Sequence, residues 1–365
     1  MPAAPVKAIS ADSHVYEPPN TWVDNIDPKF KAIAPRMVRQ GDHDILTTEG
    51  MEPRQVGAQA VAGKDPRDFK RSARHEDGRK GGWEPQARLV DMDTDGVEAE
   101  VLYPTLAFHM FRIPDLAYRI ACLDAYNRWM AGLCSASPQR LWGLGLMTIH
   151  DAKVAVRQLH DIAKLGLKGA CITAMAPEEK PFGDADYEPI WAAAEDAGIP
   201  LSLHVFTESS AKVESADFIV RYSVVPARIQ QSLTTFISFG ILEKFPKLKL
   251  VSVEVDIGWI PTYLQRIDHA FDRHRFWTGA GQRLKMKPSE YFHRQCFATF
   301  MEDRAGVLMR NEAGIKNILW SSDYPHADST WPHSQEVIAR QFAGVPDGDK
   351  RRIVRDNVRE LYGVA

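Results

Sequence analysis

Leu141-Trp142-Gly143-Leu144-Gly145-Leu146-Met147, Gly169-Ala170-Cys171-Ile172-Thr173 and Pro200-Leu201-Ser202-Leu203-His204 are three short apolar runs in close succession. Each has the length of a strand and the composition of one covered on both faces. Two segments with helical spacing separate them. Asp151 is placed to cap the first, which carries Val154, Leu159 and Ile162 on one face and stops at Gly166. The second, residues 187–197, stops at Gly198. Strands joined by helix-length crossovers pair in parallel, since an antiparallel pair needs only a tight turn.

The alternation continues in both directions. Upstream, residues 6–11 read as a first strand, and residues 97–103 alternate apolar and polar until Pro104 stops them. Downstream, residues 228–245 carry Ile229, Leu233, Phe236, Ile237, Ile241 and Leu242 at helical spacing. Further strands are expected at 248–254, 296–299 and 317–321. Eight strands alternating with helices predict an α/β fold, the parallel (β/α)8 TIM barrel. The rival, an open doubly wound sheet, would place a Gly-rich phosphate loop after the first strand, and none follows.

A chain of 365 residues exceeds a plain barrel of ~250 residues. The reading is one barrel domain over 1–365 with its surplus mainly in a long insertion after the first strand, residues 24–86. Within it, residues 64–80 mix seven Lys/Arg with four Asp/Glu, which suits a solvated or subunit-contacting flap better than a polyanion site. Residues 268–291, with Phe271, Phe276 and Trp277 among basic residues, read as a second excursion over one barrel end.

Composition narrows the function classes. Lys+Arg number 45 against 48 Asp+Glu, a net charge of -3, so the basic face that nucleic acid requires is not expected. No apolar stretch reaches the ~20 residues of a membrane helix. The first residues lack the apolar core of a signal peptide. Cys122, Cys134, Cys171 and Cys296 are scattered, without a disulfide framework or zinc knuckle. The expectation is a soluble cytoplasmic protein with a small-molecule substrate, forming a homo- or hetero-oligomer.

Barrel enzymes place their chemistry at the C-terminal ends of the strands. Asp12-Ser13-His14 ends the first strand, with Glu17 three residues on. His204 ends the fifth, Glu254 the sixth, and Asp323 the eighth with His326 following. Residues i and i+2 of a strand share a face, so Asp12 and His14 can reach one cation, and His204 and Asp323 would close it from across the barrel. Taken singly, His204 reads more readily as a packed core or rim residue than as a ligand, and Asp323 as a cap of the following loop. Together they predict a metal site suited to Zn²⁺, Mn²⁺ or Fe²⁺. Tyr103, Trp259 and Trp331, just beyond strand ends, are candidate substrate-pocket walls, and His326 a candidate substrate ligand.

The run Ala11-Asp12-Ser13-His14-Val15-Tyr16-Glu17-Pro18-Pro19, the stretch from Phe245-Pro246 through Val253-Glu254 to Gly258-Trp259-Ile260-Pro261, and Ser322-Asp323-Tyr324-Pro325-His326-Ala327-Asp328 together resemble the amidohydrolase-related family. The resemblance is to the branch containing aminocarboxymuconate-semialdehyde and resorcylate-type decarboxylases. It implies a metal-dependent barrel acting on small organic acids, with Asp12, His14, His204 and Asp323 as ligands. Two positions depart from the pattern. Asp12 stands where His or Glu is usual, favouring a harder ion such as Mn²⁺ or Fe²⁺ over Zn²⁺ without excluding it. Glu254 stands where better-known members carry His. It would act as general base or bind a second ion, so the family mechanism does not carry over unchanged.

The leading expectation is a hydrolase or non-oxidative decarboxylase using Glu254, Asp323 and His204 around a divalent metal. The alternatives are a dinuclear Fe or Fe/Mn monooxygenase using Glu254 as a second-site ligand, with Glu17 and His326 as further candidates for that site, and a non-catalytic partner subunit with a vestigial metal.

Overall fold

The computed structural model describes residues 6–57, 59–70, 72–207 and 218–364. Eight parallel strands, β1 (Ala8–His14), β5 (Val97–Tyr103), β6 (Leu141–Leu146), β7 (Gly169–Thr173), β8 (Leu201–His204), β9 (Leu250–Val253), β10 (Cys296–Phe300) and β11 (Ile318–Trp320), pair in that spatial order. Helices lie between them, as the (β/α)8 barrel requires. The first strand starts two residues later and ends three residues later than the apolar run 6–11 suggested. Apolar residues dominate 6–11, yet the ladder to β5 runs on through Ser13↔Leu102 and His14↔Tyr103. The Asp-x-His motif therefore lies inside the strand and inherits its rigidity.

The sheet closes where β1 meets β11. The Asp323 N–H donates to the Asp12 carbonyl at 2.9 Å, and the His14 N–H donates to the Tyr324 carbonyl at 2.6 Å. Beneath these bonds, Ser13 Oγ lies 2.9 Å from Ser10 Oγ and 3.1 Å from Ser322 Oγ. The Ser322 N–H donates to Ser10 Oγ at 2.9 Å. Small hydroxyl residues let the two strands approach and satisfy one another in a dry seam.

Local signals act as expected at the helix ends. Asp151 accepts from the N–H groups of Lys153 and Val154 to cap Ala152–Lys164, and Gly198 ends Glu188–Ala197 with φ 63°. The helix expected over 228–245 is two helices, Pro226–Ser238 and Ile241–Lys244, because Gly240 takes φ 76° between them. Residues 268–291, expected as an excursion, are largely helical. The helix Ile260–Thr278 occupies their first half, and Ala280–Arg283 and Pro288–Gln295 follow.

The insertion is folded and fastened. Its strands β2 (Arg36–Gln40), β3 (His43–Thr47) and β4 (Arg54–Gln55) form an antiparallel sheet. The His75 ring stacks on Tyr16 with centroids 4.3 Å apart. The Arg79 guanidinium lies 3.6 Å over Trp331, and the Ala62 N–H reaches the Pro325 carbonyl at 3.0 Å. All three attachments land on residues flanking the β1–β11 seam.

A candidate metal centre at the strand ends

Among the described residues, four non-glycine residues have positive φ: Phe206 at 62°, Glu254 at 60°, Asp256 at 56° and Asp323 at 54°. All four follow the ends of β8, β9 or β11. Left-handed backbone is costly for side-chain-bearing residues and concentrates where function fixes the geometry. Here it turns the chain at the rim where the candidate ligands stand.

Asp12, His14 and His204 are buried, and their ligand atoms lie within 4.8 Å of one another. His14 Nε2 is 3.4 Å from Asp12 Oδ1, 3.2 Å from Asp323 Oδ1 and 3.3 Å from His204 Nε2. The outward nitrogens fix the tautomers. His14 Nδ1 lies 2.7 Å from the Pro104 carbonyl and His204 Nδ1 lies 3.0 Å from the Val205 carbonyl. A carbonyl can only accept, so both Nδ1 atoms carry hydrogen and both Nε2 atoms present lone pairs to each other. Neither oxygen of Asp12 accepts a hydrogen bond although both are buried. Two facing lone pairs beside an unsatisfied carboxylate suit a cation between them, and the mixed imidazole–carboxylate set fits Zn²⁺, Mn²⁺ or Fe²⁺.

The remaining carboxylates crowd the same space. Burial, followed by the charges of Asp328, Glu254 and Asp12, pushes Asp323 well above the ordinary carboxylate range. Burial, then Asp12, Asp328 and Asp256, does the same to Glu254. Glu254 Oε2 stands 3.6 Å from His204 Nε2. A bound divalent ion would relieve this repulsion.

The other expected residues divide. His326 joins the cluster, its Nδ1 3.0 Å from Asp323 Oδ1 and its ring centroid 3.9 Å from that of His14, the planes tilted by 32°. Its Nε2 is held at 2.9 Å by Thr105 Oγ1. Glu17 stands apart, accepting from the backbone N–H groups of Thr105, Leu106 and Ala107 at 2.8–3.2 Å. Burial raises its pKa to about 7, with those bonds opposing. Tyr103 lies under His204, centroids 5.1 Å apart, with its hydroxyl on Ser202 Oγ at 2.8 Å. Trp259 donates to the Asp256 carbonyl at 3.0 Å and packs against Tyr263. Trp331 donates to the Asp91 carbonyl at 3.0 Å and serves the insertion contact.

Three residues were not foreseen. Arg88, on the helix Pro85–Asp95, donates to Glu100 Oε2 at 2.5 Å and to the His14 carbonyl at 2.7 Å, in a fully buried position. Nothing in an apparently polar helix marks a buried arginine. Asp328 and Tyr222 meet at 2.9 Å from segments 106 residues apart, a pairing that spacing cannot reveal.

With this geometry established, the chain belongs to the Amidohydrolase family, whose profile matches residues 11–364. The structure is similar to an amidohydrolase from Mycobacterium avium subsp. paratuberculosis, with a TM-score of 0.80, 21% identity, and coverage of 99% of this chain and 100% of that one. It is also similar to a dihydroxybenzoic acid decarboxylase from Polaromonas sp., solved with manganese and the inhibitor 2-nitroresorcinol, at TM-score 0.67 and 17% identity over 98% of this chain and 97% of that one. In sequence it is 26% identical over 223 residues to the decarboxylase orsB of Emericella nidulans, covering 56% of this chain. The match spans 65% of that relative's length. The chain is thus an enzyme of a family whose solved neighbours include metal-bound members. Among the described residues no helix is long and apolar enough to cross a membrane.

Proposed function

We propose that this enzyme is a divalent-metal-dependent, non-oxidative decarboxylase of a small aromatic acid. The observation that carries the reading is the buried Asp12–His14–His204 group, with both Asp12 oxygens unsatisfied, on the barrel rim. The manganese-bound neighbour and the decarboxylase relative support the reaction class.

Asp12, His14, His204 and Asp323 would hold the ion. When bound, it would supply positive charge to neutralise and orient the substrate carboxylate. Loss of CO2 breaks a carbon–carbon bond, leaves its electron pair on the ring carbon and requires one proton there. We assign that proton to Glu254, which stands at the inner rim beside His204. Phe108 packs 4.5 Å from His204 and keeps water from that side. His326 bridges Thr105 and Asp323 and fixes the Asp323 carboxylate. Of the further groups considered for a second ion beside Glu254, Glu17 has its oxygens occupied by three backbone donors.

The test combines metal analysis with CO2 release. Protein reconstituted separately with Mn²⁺, Zn²⁺ and Fe²⁺ is screened with hydroxybenzoic acids under air and under argon. One metal per chain and oxygen-independent CO2 release are expected. Two irons per chain with oxygen uptake, or amide hydrolysis without CO2, would replace the decarboxylase reading.

A further inference from the structure

Two arginines are buried among the described residues, Arg88 and Arg119, and only one of them has a counter-ion. Arg88 pairs with the carboxylate of Glu100. Arg119, 9% exposed, makes no ion pair with any described residue. Burial lowers its pKa, and no neighbouring carboxylate opposes that. A buried charge without a partner is costly, so its retention calls for an anion supplied from outside the fold.

The donors of Arg119 are only partly used. It lies in the first turn of the helix Leu116–Cys134, whose cap is Asp115. The Asp115 carboxylate accepts from the Tyr118 N–H at 2.7 Å and is committed to the helix. Arg119 Nε donates to the Ile113 carbonyl at 2.7 Å, which fixes the direction of the side chain. Nη1 stands 3.1 Å from Nδ1 and 3.2 Å from Nε2 of His150. Such nearly equal distances place it off the lone-pair axis of either nitrogen, so the guanidinium rests against the imidazole without a well-aligned bond. Nη2 pairs with none of the described residues.

His150 is the other half of this arrangement. It follows β6 by four residues and directly precedes the helix cap Asp151. Its N–H donates to Thr148 Oγ1 at 3.3 Å, and the Thr148 N–H donates to Gln158 Oε1 at 2.9 Å, so the loop is held by the helix that follows. Burial, then the charge of Arg119, keeps His150 below its ordinary pKa, with the exposed Glu179 opposing. The N-terminal end of the helix Leu116–Cys134 adds positive potential beside Arg119.

We propose that Arg119 and His150 form a binding site for a small planar oxyanion of carboxylate shape. The free fork of a guanidinium matches two such oxygens, and the imidazole offers a further N–H. The site shares no residue with the candidate metal centre. The segment Ala107–Arg112 stands between them: Phe108 packs on His204, and Ile113 just beyond it receives Arg119. The inference does not depend on the decarboxylase reading.

Formate is the probe, titrated calorimetrically into the full chain at fixed ionic strength. Mn²⁺-loaded wild type is compared with His204→Ala freed of metal, because a bound metal also attracts carboxylates. The formate signal is expected to persist in His204→Ala and to resist displacement by an equal concentration of chloride. In that background, Arg119→Gln should weaken formate binding about tenfold or more, the value of a hydrogen-bonded charge. His150→Ala alters an exposed side chain, so it remains informative if the arginine variant fails to fold. It should weaken binding roughly threefold or more. Loss of the signal in His204→Ala would assign formate to the metal centre and overturn the proposal. Unchanged affinity in His150→Ala, or equal competition by chloride, would overturn it as well.

Discussion

Arg88 donates one hydrogen bond to the carboxylate of Glu100 at 2.5 Å and another to the backbone carbonyl of His14 at 2.7 Å. The pair is fully buried, and Ser13 Oγ adds a bond to Glu100 at 3.2 Å. A charged anchor thus grips the backbone of a candidate ligand from below. Removing one partner of such a pair strands the other charge, so Arg88→Met should cost about 3–5 kcal/mol. Urea unfolding at fixed Mn²⁺ concentration measures this. A loss below about 1 kcal/mol would mean the pair contributes little beyond filling space.

Asp12→Asn and His204→Ala each remove a candidate ligand without touching the seam bonds made by the backbone. Mn²⁺ at about one hundred times its Kd should stabilise wild type by about 2.7 kcal/mol. Neither variant should show that increment in thermal melts, and both should lose metal on desalting. Equal metal-dependent stabilisation of all three proteins would move the ion elsewhere.

The pH dependence of stability has a clear contributor away from the centre. Asp95 is buried, which raises its pKa to about 6 against the opposing bonds from the Ser334 N–H and hydroxyl. The folded state therefore holds a proton that the unfolded chain releases near its ordinary value of 3.8. The associated stability is fully present below pH 3.8 and is lost as pH rises through 6. Relative to wild type, Asp95→Asn should gain of order 3 kcal/mol between pH 4 and pH 7. Parallel urea midpoints across that window would contradict the assignment.

Trp331 was expected to wall the pocket, and its contacts suggest a different measurement. Its ring lies under Arg79, and a Cβ placed on Gly63, itself at φ +78°, would stand 2.5 Å from it. Trp331→Ala should destabilise by about 2–3 kcal/mol and open residues 36–55 to limited proteolysis. Binding of 2-hydroxybenzoate should be unchanged. Weakened binding with an intact protease pattern would restore the pocket-wall role.

Much of the architecture was legible because each barrel strand is a short apolar run and each helix carries its own stop signal. Residues 97–103 and 169–173 match β5 and β7 to the residue, since Pro104 and the flanking glycines mark their limits. The placement of Asp12, His14, His204 and Asp323 on one rim followed from counting strand ends. Contacts between distant segments were not legible. Glu17 sits beside the ligand motif yet serves three backbone donors of the β5 loop, and Trp331 serves the insertion. Charge and aromaticity in sequence do not show which neighbour a side chain faces. The insertion, rich in glycine, proline and charge, gave no periodicity from which its small sheet could be inferred.

The seam between β1 and β11 joins Ser10 to Ser322, 312 residues further along the chain. Synthesis delivers the two sides of the candidate centre at opposite times: Asp12 and His14 early, Asp323 only after nearly all the barrel has been made. A nascent chain paused anywhere before β11 lacks both the closing backbone bonds and one carboxylate of the cluster. Metal uptake is therefore a late event that reports the completion of the barrel, and fragments ending short of residue 318 should remain metal-free.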